Sequence, residues 1–236
     1  MVALLLRLTL LVTLPFVLLL FMTPMPGIDP AWDFANGAGF LAGILLAALF
    51  IYSGRPLSEP YYDGKFFMNL HRDLGYAATL LLALHVGVLL ISEPQVVDYL
   101  KPSATWPMLS GTLATLLLLV LVPTSLSAVR KKLWRNHRHF KLWHYGLGAL
   151  MLVLVSVHML SAGFYTAALW KWFFWVGLIG AAILRPLLPR AALVRGGGSR
   201  RRHTASYASW LCAGMVVIAI TLALGYSLLA NSDLPL

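Results

Sequence analysis

The sequence predicts an all-α, polytopic membrane helix bundle, and three observations predict it. Of its 236 residues, 60% are hydrophobic and only 11% are charged, with a mean hydropathy of +0.81, which leaves little material for a soluble domain. Seven apolar runs, 3–22, 36–53, 70–91, 109–128, 141–164, 168–187 and 207–230, match the roughly 20 residues that a hydrocarbon core requires. The net charge of +10 is also segregated. With alternate loops on opposite sides, 16 of the 18 Lys and Arg fall on one side, leaving Lys101 and Lys171 opposite with Asp29, Asp33, Glu93, Asp98 and Asp233. That is the positive-inside pattern, with the N-terminus cytoplasmic and the C-terminus outside. The basic excess is therefore topological, its partner is membrane lipid with anionic headgroups, and nucleic acid is not implied.

The first run is too long and too poor in flanking charge for a signal peptide, and no A-x-A site precedes Thr23, so it reads as a membrane helix with Pro15 as a kink point. The Pro-rich, acidic stretch from Met22 to Phe34 forms an outside loop. In the second run Gly39 and Gly43 make a GxxxG pair, a sign of close contact with a neighbour. The 54–69 loop returns the chain to the cytoplasm, the third run leads outward, and Ser92 to Met108 forms an outside loop anchored by Trp106. After the fourth run comes a basic segment with Arg130, Lys131, Lys132, Arg135, Arg138 and Lys141, and the fifth run again leads outward. His137 and His139 belong to this solvated basic face. Residues 188–206 form a basic, Gly-rich cytoplasmic linker containing His203, which has no GK[ST] signature of a phosphate loop. Residues 207–236 add a further membrane helix and a short outside tail. The lone Cys212 excludes an intrachain disulfide, an iron–sulfur cluster or a Cys-rich zinc site within one chain.

The chemistry is concentrated in the third and fifth runs. His71 and His85 stand 85 − 71 = 14 residues apart, and His144 and His158 repeat the step, 158 − 144 = 14. Fourteen residues bring an α-helix to within about 40° of four full turns and advance it about 21 Å, so both histidines of each helix share a face at two depths. The two helices are parallel, which sets His71 level with His144 and His85 level with His158. Histidine is expensive in a bilayer and needs a partner. Packing alone gives no reason for the registers to match, whereas two metal centres stacked across the membrane do. Haem suits the pattern, since its iron takes one axial imidazole on each face; tetrahedral zinc does not, because the ligands are spread along two helices. No C-x-x-C-H motif is present, so two b-type haems held without covalent attachment are expected. Gly75 and Gly148 each lie four residues beyond a histidine of the inner pair, where they make room for a porphyrin or serve ordinary helix packing. Arg72, Arg138 and Lys141 flank the inner pair, as counter-charges to haem propionates or as topological charge.

The doubled histidines in helices three and five of a six-helix core, the HRDLG opening at 71–75 and FKLWHYGLG at 140–148 resemble the ferric reductase-like transmembrane domain. Ferric reductases, the membrane half of NADPH oxidases and the haem subunit of the bacterial methionine sulfoxide reductase system share it. The resemblance covers roughly residues 1–187 and implies an inner haem on His71 and His144 and an outer haem on His85 and His158. It further implies electron transfer from a cytoplasmic flavoprotein or quinol donor to an outside acceptor, in a bacterial inner membrane. Ferric reductases and NADPH oxidases follow the sixth helix with a flavin and nicotinamide domain, where this chain has its linker and seventh helix. The expectation is thus a reductase subunit without its own flavin or NADPH domain. The cytochrome b of quinol-oxidising complexes also doubles histidines on two parallel helices, but those are its second and fourth, and no PEW-type motif occurs here. A transporter or structural membrane protein, with proton-relay or packing histidines, is the alternative from another class. The parallel, unbroken histidine helices oppose it.

Overall fold

The computed structural model describes residues 2–53, 64–134, 136–188 and 204–232, the side chains of 204–206 excepted. Residues 189–203 of the expected linker, with His203, lie outside the described residues, as do Arg135 and 54–63 of the loop before the third run. Among the described residues there is no strand. The chain forms α1 (Val2–Leu20), α2 (Pro30–Ile51), α3 (Gly64–Ser92), α4 (Trp106–Ser125), α5 (Ser127–Leu133), α6 (His137–Ser161), α7 (Leu169–Leu184) and α8 (Thr204–Ala230). Short 3-10 segments occupy Pro94–Leu100 and Arg185–Leu187. Six helices, α1, α2, α3, α4, α6 and α8, are long and apolar enough to cross a membrane. The chain is an integral membrane protein. The run expected at 168–187 yields only 16 residues of α-helix in α7, about 24 Å, because Pro186 cannot donate to the helical ladder and the chain tightens there.

The second helix starts earlier than its hydropathy suggests. Asp29 caps α2, its carboxylate accepting from the backbone N–H of Ala31 at 2.8 Å and of Trp32 at 3.2 Å, and Pro30 takes the first helical position, where no N–H is needed. The end of the expected acidic loop is therefore helix. Asp33 lies inside it and is wholly buried. Its Oδ1 accepts from the Tyr165 hydroxyl at 2.7 Å, and its Oδ2 from the Ile28 N–H at 3.0 Å and Asn231 Nδ2 at 2.9 Å. Burial and this carboxylate push the Tyr165 hydroxyl pKa up, so it remains a donor. Ser227 Oγ donates to the Pro30 carbonyl at 2.6 Å, and Lys171 Nζ to Thr23 Oγ1 and the Tyr165 carbonyl, both at 2.7 Å. One polar cluster thus ties the start of α2, the start of α7 and the end of α8 together at one end of the bundle.

The opposite end has its own ties. Ser209 Oγ, near the start of α8, donates to Asp73 Oδ2 at 2.7 Å, and Tyr145 OH donates to the Ile183 carbonyl at the end of α7 at 2.9 Å. So α8 runs parallel to α3 and antiparallel to α2, and α7 descends from the Asp33 end to the level of Tyr145. The packing is uneven. α2 lies against α3 and α8, α4 lies against α6, and the backbones of α3 and α6 hardly approach each other. Buried side chains of α2 fill the middle, among them Leu41, Ile44 and Leu45. Within the helices, Thr79, Thr115 and Ser156 return their hydroxyls to the carbonyl four residues back, which satisfies them without a partner helix.

Candidate functional site

Four imidazoles face one another across the slot between α3 and α6, in two levels. The ring centres of His71 and His144 are 6.1 Å apart with planes at 66°, and those of His85 and His158 are 6.3 Å apart at 69°. The matched 14-residue steps have become two pairs of the same shape. Two imidazoles held on opposite sides of one metal ion put their ring centres about 6.3 Å apart, from metal–nitrogen bonds of about 2.0 Å and about 1.15 Å from nitrogen to ring centre. The observed separations fit that sum.

Each ring is oriented from behind. His85 Nδ1 donates to the Ala35 carbonyl at 2.8 Å, His158 Nδ1 to the Pro107 carbonyl at 3.0 Å, and His71 Nδ1 to the Tyr52 carbonyl at 3.0 Å. A carbonyl only accepts, so in these three the proton is on Nδ1 and the lone pair on Nε2. His144 Nδ1 stands 3.3 Å from Ser125 Oγ, whose own proton goes to the Leu121 carbonyl at 2.6 Å. Ser125 is therefore the acceptor, and His144 has the same tautomer. An imidazole with Nδ1–H tied to a fixed oxygen and Nε2 free is the usual form of a metal-ligating histidine.

The supports are themselves repeated. The 19-residue step from Tyr52 to His71 recurs from Ser125 to His144, and the 50-residue step from Ala35 to His85 becomes 51 from Pro107 to His158. Each ligand helix is thus backed by its preceding long helix, α2 behind α3 and α4 behind α6. At the level of His85 and His158 the rings lie in notches. A Cβ on Gly39 would come within 2.8 Å of His85 Nδ1, and one on Gly111 within 2.8 Å of His158 Nδ1.

The other residues singled out in the sequence are placed as follows. Gly75 and Gly148 look toward α2, where an added Cβ would meet only Leu49 at 4.0 Å and Phe50 at 3.5 Å respectively. Neither mediates contact between α3 and α6. Arg72 is engaged by its neighbour, with Nε and Nη2 both 2.8 Å from Asp73 Oδ1. Arg138 and Lys141 are exposed at the start of α6 and make no ion pair among the described residues. His137 and His139 are exposed, and Cys212 is a buried free thiol. Among the described residues no three His, Cys, Asp or Glu converge on one point, so the unit of the site is the pair. Reading the sequence missed Tyr52, Gly111 and Ser125 and took Gly39 only for helix packing. The recurring spacing to the histidines was the available signal.

The model of the ferric reductase like transmembrane component matches residues 38–155, half of the chain and nearly the whole of α2 to α6. The chain belongs to that family. No curated protein and no solved structure matches it.

Proposed function

We propose that each histidine pair holds a b-type haem, inner on His71 and His144 and outer on His85 and His158. The chain then serves as the membrane dihaem subunit of a reductase, between a cytoplasmic flavoprotein or quinol donor and an acceptor outside. The observation that carries this reading is the pair geometry: two sets of rings 6.1 and 6.3 Å apart, each ring with its Nδ1 engaged. The near absence of backbone contact between α3 and α6 supports it, since a slot between helices is what a flat macrocycle needs. Bound there, haem iron supplies a one-electron couple.

The protein's own part is orientation and electrostatics. The carbonyls of Tyr52, Ala35 and Pro107 and the hydroxyl of Ser125 hold the tautomer and strengthen each Nε2 as a donor. Of the three cations singled out beside the inner pair, Arg72 is held by Asp73, and Arg138 and Lys141 would meet propionates at the inner end. We also read α7 as a seventh crossing. Its hydrogen bonds at Lys171 and Ile183 reach the two ends of the bundle, and a short helix crosses by local thinning of the bilayer or by anchoring at its ends. That count puts the segment before α8 on the cytoplasmic side and the C-terminus outside.

The test is a pyridine haemochrome assay on protein purified from haem-replete membranes, with an optical spectrum. Two haems per chain and low-spin b-type bands are expected. A ratio near zero overturns the reading.

A further inference from the structure

His144 is held differently from its three counterparts. They donate to backbone carbonyls at 2.8 to 3.0 Å, whereas its Nδ1 has only a side-chain hydroxyl at 3.3 Å, a longer bond to a group that can itself rotate. What it has instead is a ring. Phe140 stacks on His144 with centres 5.2 Å apart and planes at 26°. Phe140 is in turn enclosed: His137 stacks on it at 5.9 Å and 20°, Trp134 meets it edge-on at 6.3 Å, and the Arg130 guanidinium lies 5.4 Å from its centre. His137, Phe140 and His144 fall at steps of three and four on α6, so they form one stripe along a single face. That stripe runs from the exposed basic surface to the inner pair. At the outer level the residues four before each histidine are Leu81 and Leu154, so no aromatic ring occupies the equivalent place there.

We propose that Phe140 is a positioning residue for the inner site, setting the plane of the His144 imidazole by stacking where a hydrogen bond to a carbonyl does so for the other three histidines. The proposal rests on the reading of His71 and His144 as a ligand pair. Arg130 and Trp134 belong to the same device, since they pack against Phe140 and restrict its tilt. The consequence is confined to one level. Loss of the ring frees His144 to rotate about its Cβ–Cγ bond, and the angle between the two imidazole planes, 66° here, spreads or changes.

Low-spin ferric haem with two imidazole ligands reports that angle in its electron paramagnetic resonance spectrum, and a redox titration reports the donor strength of each pair. The experiment compares the full-length protein with Phe140→Leu, Phe140→Met and Phe140→Tyr, using His71→Ala to assign the inner signal by its loss. Expected are a shifted or broadened inner signal and a moved inner midpoint in the leucine and methionine variants, an unchanged outer signal, and near-complete restoration by tyrosine. Unchanged inner spectra and midpoints in both non-aromatic variants overturn the proposal. Failure of both to fold while the tyrosine variant folds also overturns it, since Phe140 is then a packing residue only. If the unsubstituted protein shows no low-spin haem signals at all, it is the haem reading that falls.

Discussion

The imidazole of His85 lies in a notch that exists only because residue 39 is glycine: a Cβ there would stand 2.8 Å from His85 Nδ1 and 3.0 Å from its Cγ. The ring cannot retreat without losing its bond to the Ala35 carbonyl, one turn earlier on the same helix. The pairing of Gly111 with His158 under the Pro107 carbonyl is the same device on α4.

Gly39→Ala and Gly111→Ala are therefore expected to disturb the outer level alone. Overpacking of this kind costs about 1–3 kcal/mol, and here the strain falls on a ligand ring. The measurement is haem content and reduced spectrum, with the outer haem lost or altered and the inner one retained. Gly43→Ala is the control. Its Cβ would meet the Met159 Sδ at 2.7 Å, the end of a flexible side chain that can move aside. Equal effects of all three substitutions would contradict the notch.

Single substitutions of the four histidines should sort by level. His71→Ala and His144→Ala are expected to remove the inner haem and spare the outer, and His85→Ala and His158→Ala the reverse, because each histidine is paired with one other histidine, at its own depth. Haem-to-protein ratios of the four variants check this. Loss of the same single haem in all four would contradict the two-level arrangement.

Asp33→Asn should weaken the whole bundle. The buried carboxylate accepts three hydrogen bonds from Tyr165, Ile28 and Asn231. An amide has one acceptor oxygen, which keeps Ile28 and Asn231, so its NH2 faces the Tyr165 hydroxyl and that hydroxyl's proton loses its buried acceptor, at a cost of about 1–3 kcal/mol. The thermal midpoint in detergent is expected to fall. The segment around Tyr165 should loosen first, because its hydroxyl loses its acceptor, and amide hydrogen exchange near residues 162–168 reads that directly.

The proposed topology rests on seven crossings, a count that gathers 16 of the 18 Lys and Arg on one side. Reporter fusions after Lys132 and Arg202 are expected to report cytoplasm, and fusions after Asp98 and at the C-terminus to report outside. A fusion after Arg202 that reports outside together with a cytoplasmic C-terminus, the other two unchanged, would mean that α7 does not cross.

The register of the four histidines was legible in the sequence, because helical periodicity is a local property. A step of 14 residues on a membrane-length run settles both the shared face and the two depths without reference to anything else. The bundle class was legible for a similar reason: hydropathy and loop charge add up residue by residue. What stands behind the rings was decided by tertiary structure. The carbonyls and glycines that orient them lie 19 to 51 residues away on other helices, and one-dimensional spacing does not say which groups those helices turn toward the site. The same holds for Asp33, which reads as a loop acid until Asp29 and Pro30 start the helix early and the end of α8 closes over it. The fit of a polar group in a membrane depends on which partner packing brings within about 3 Å.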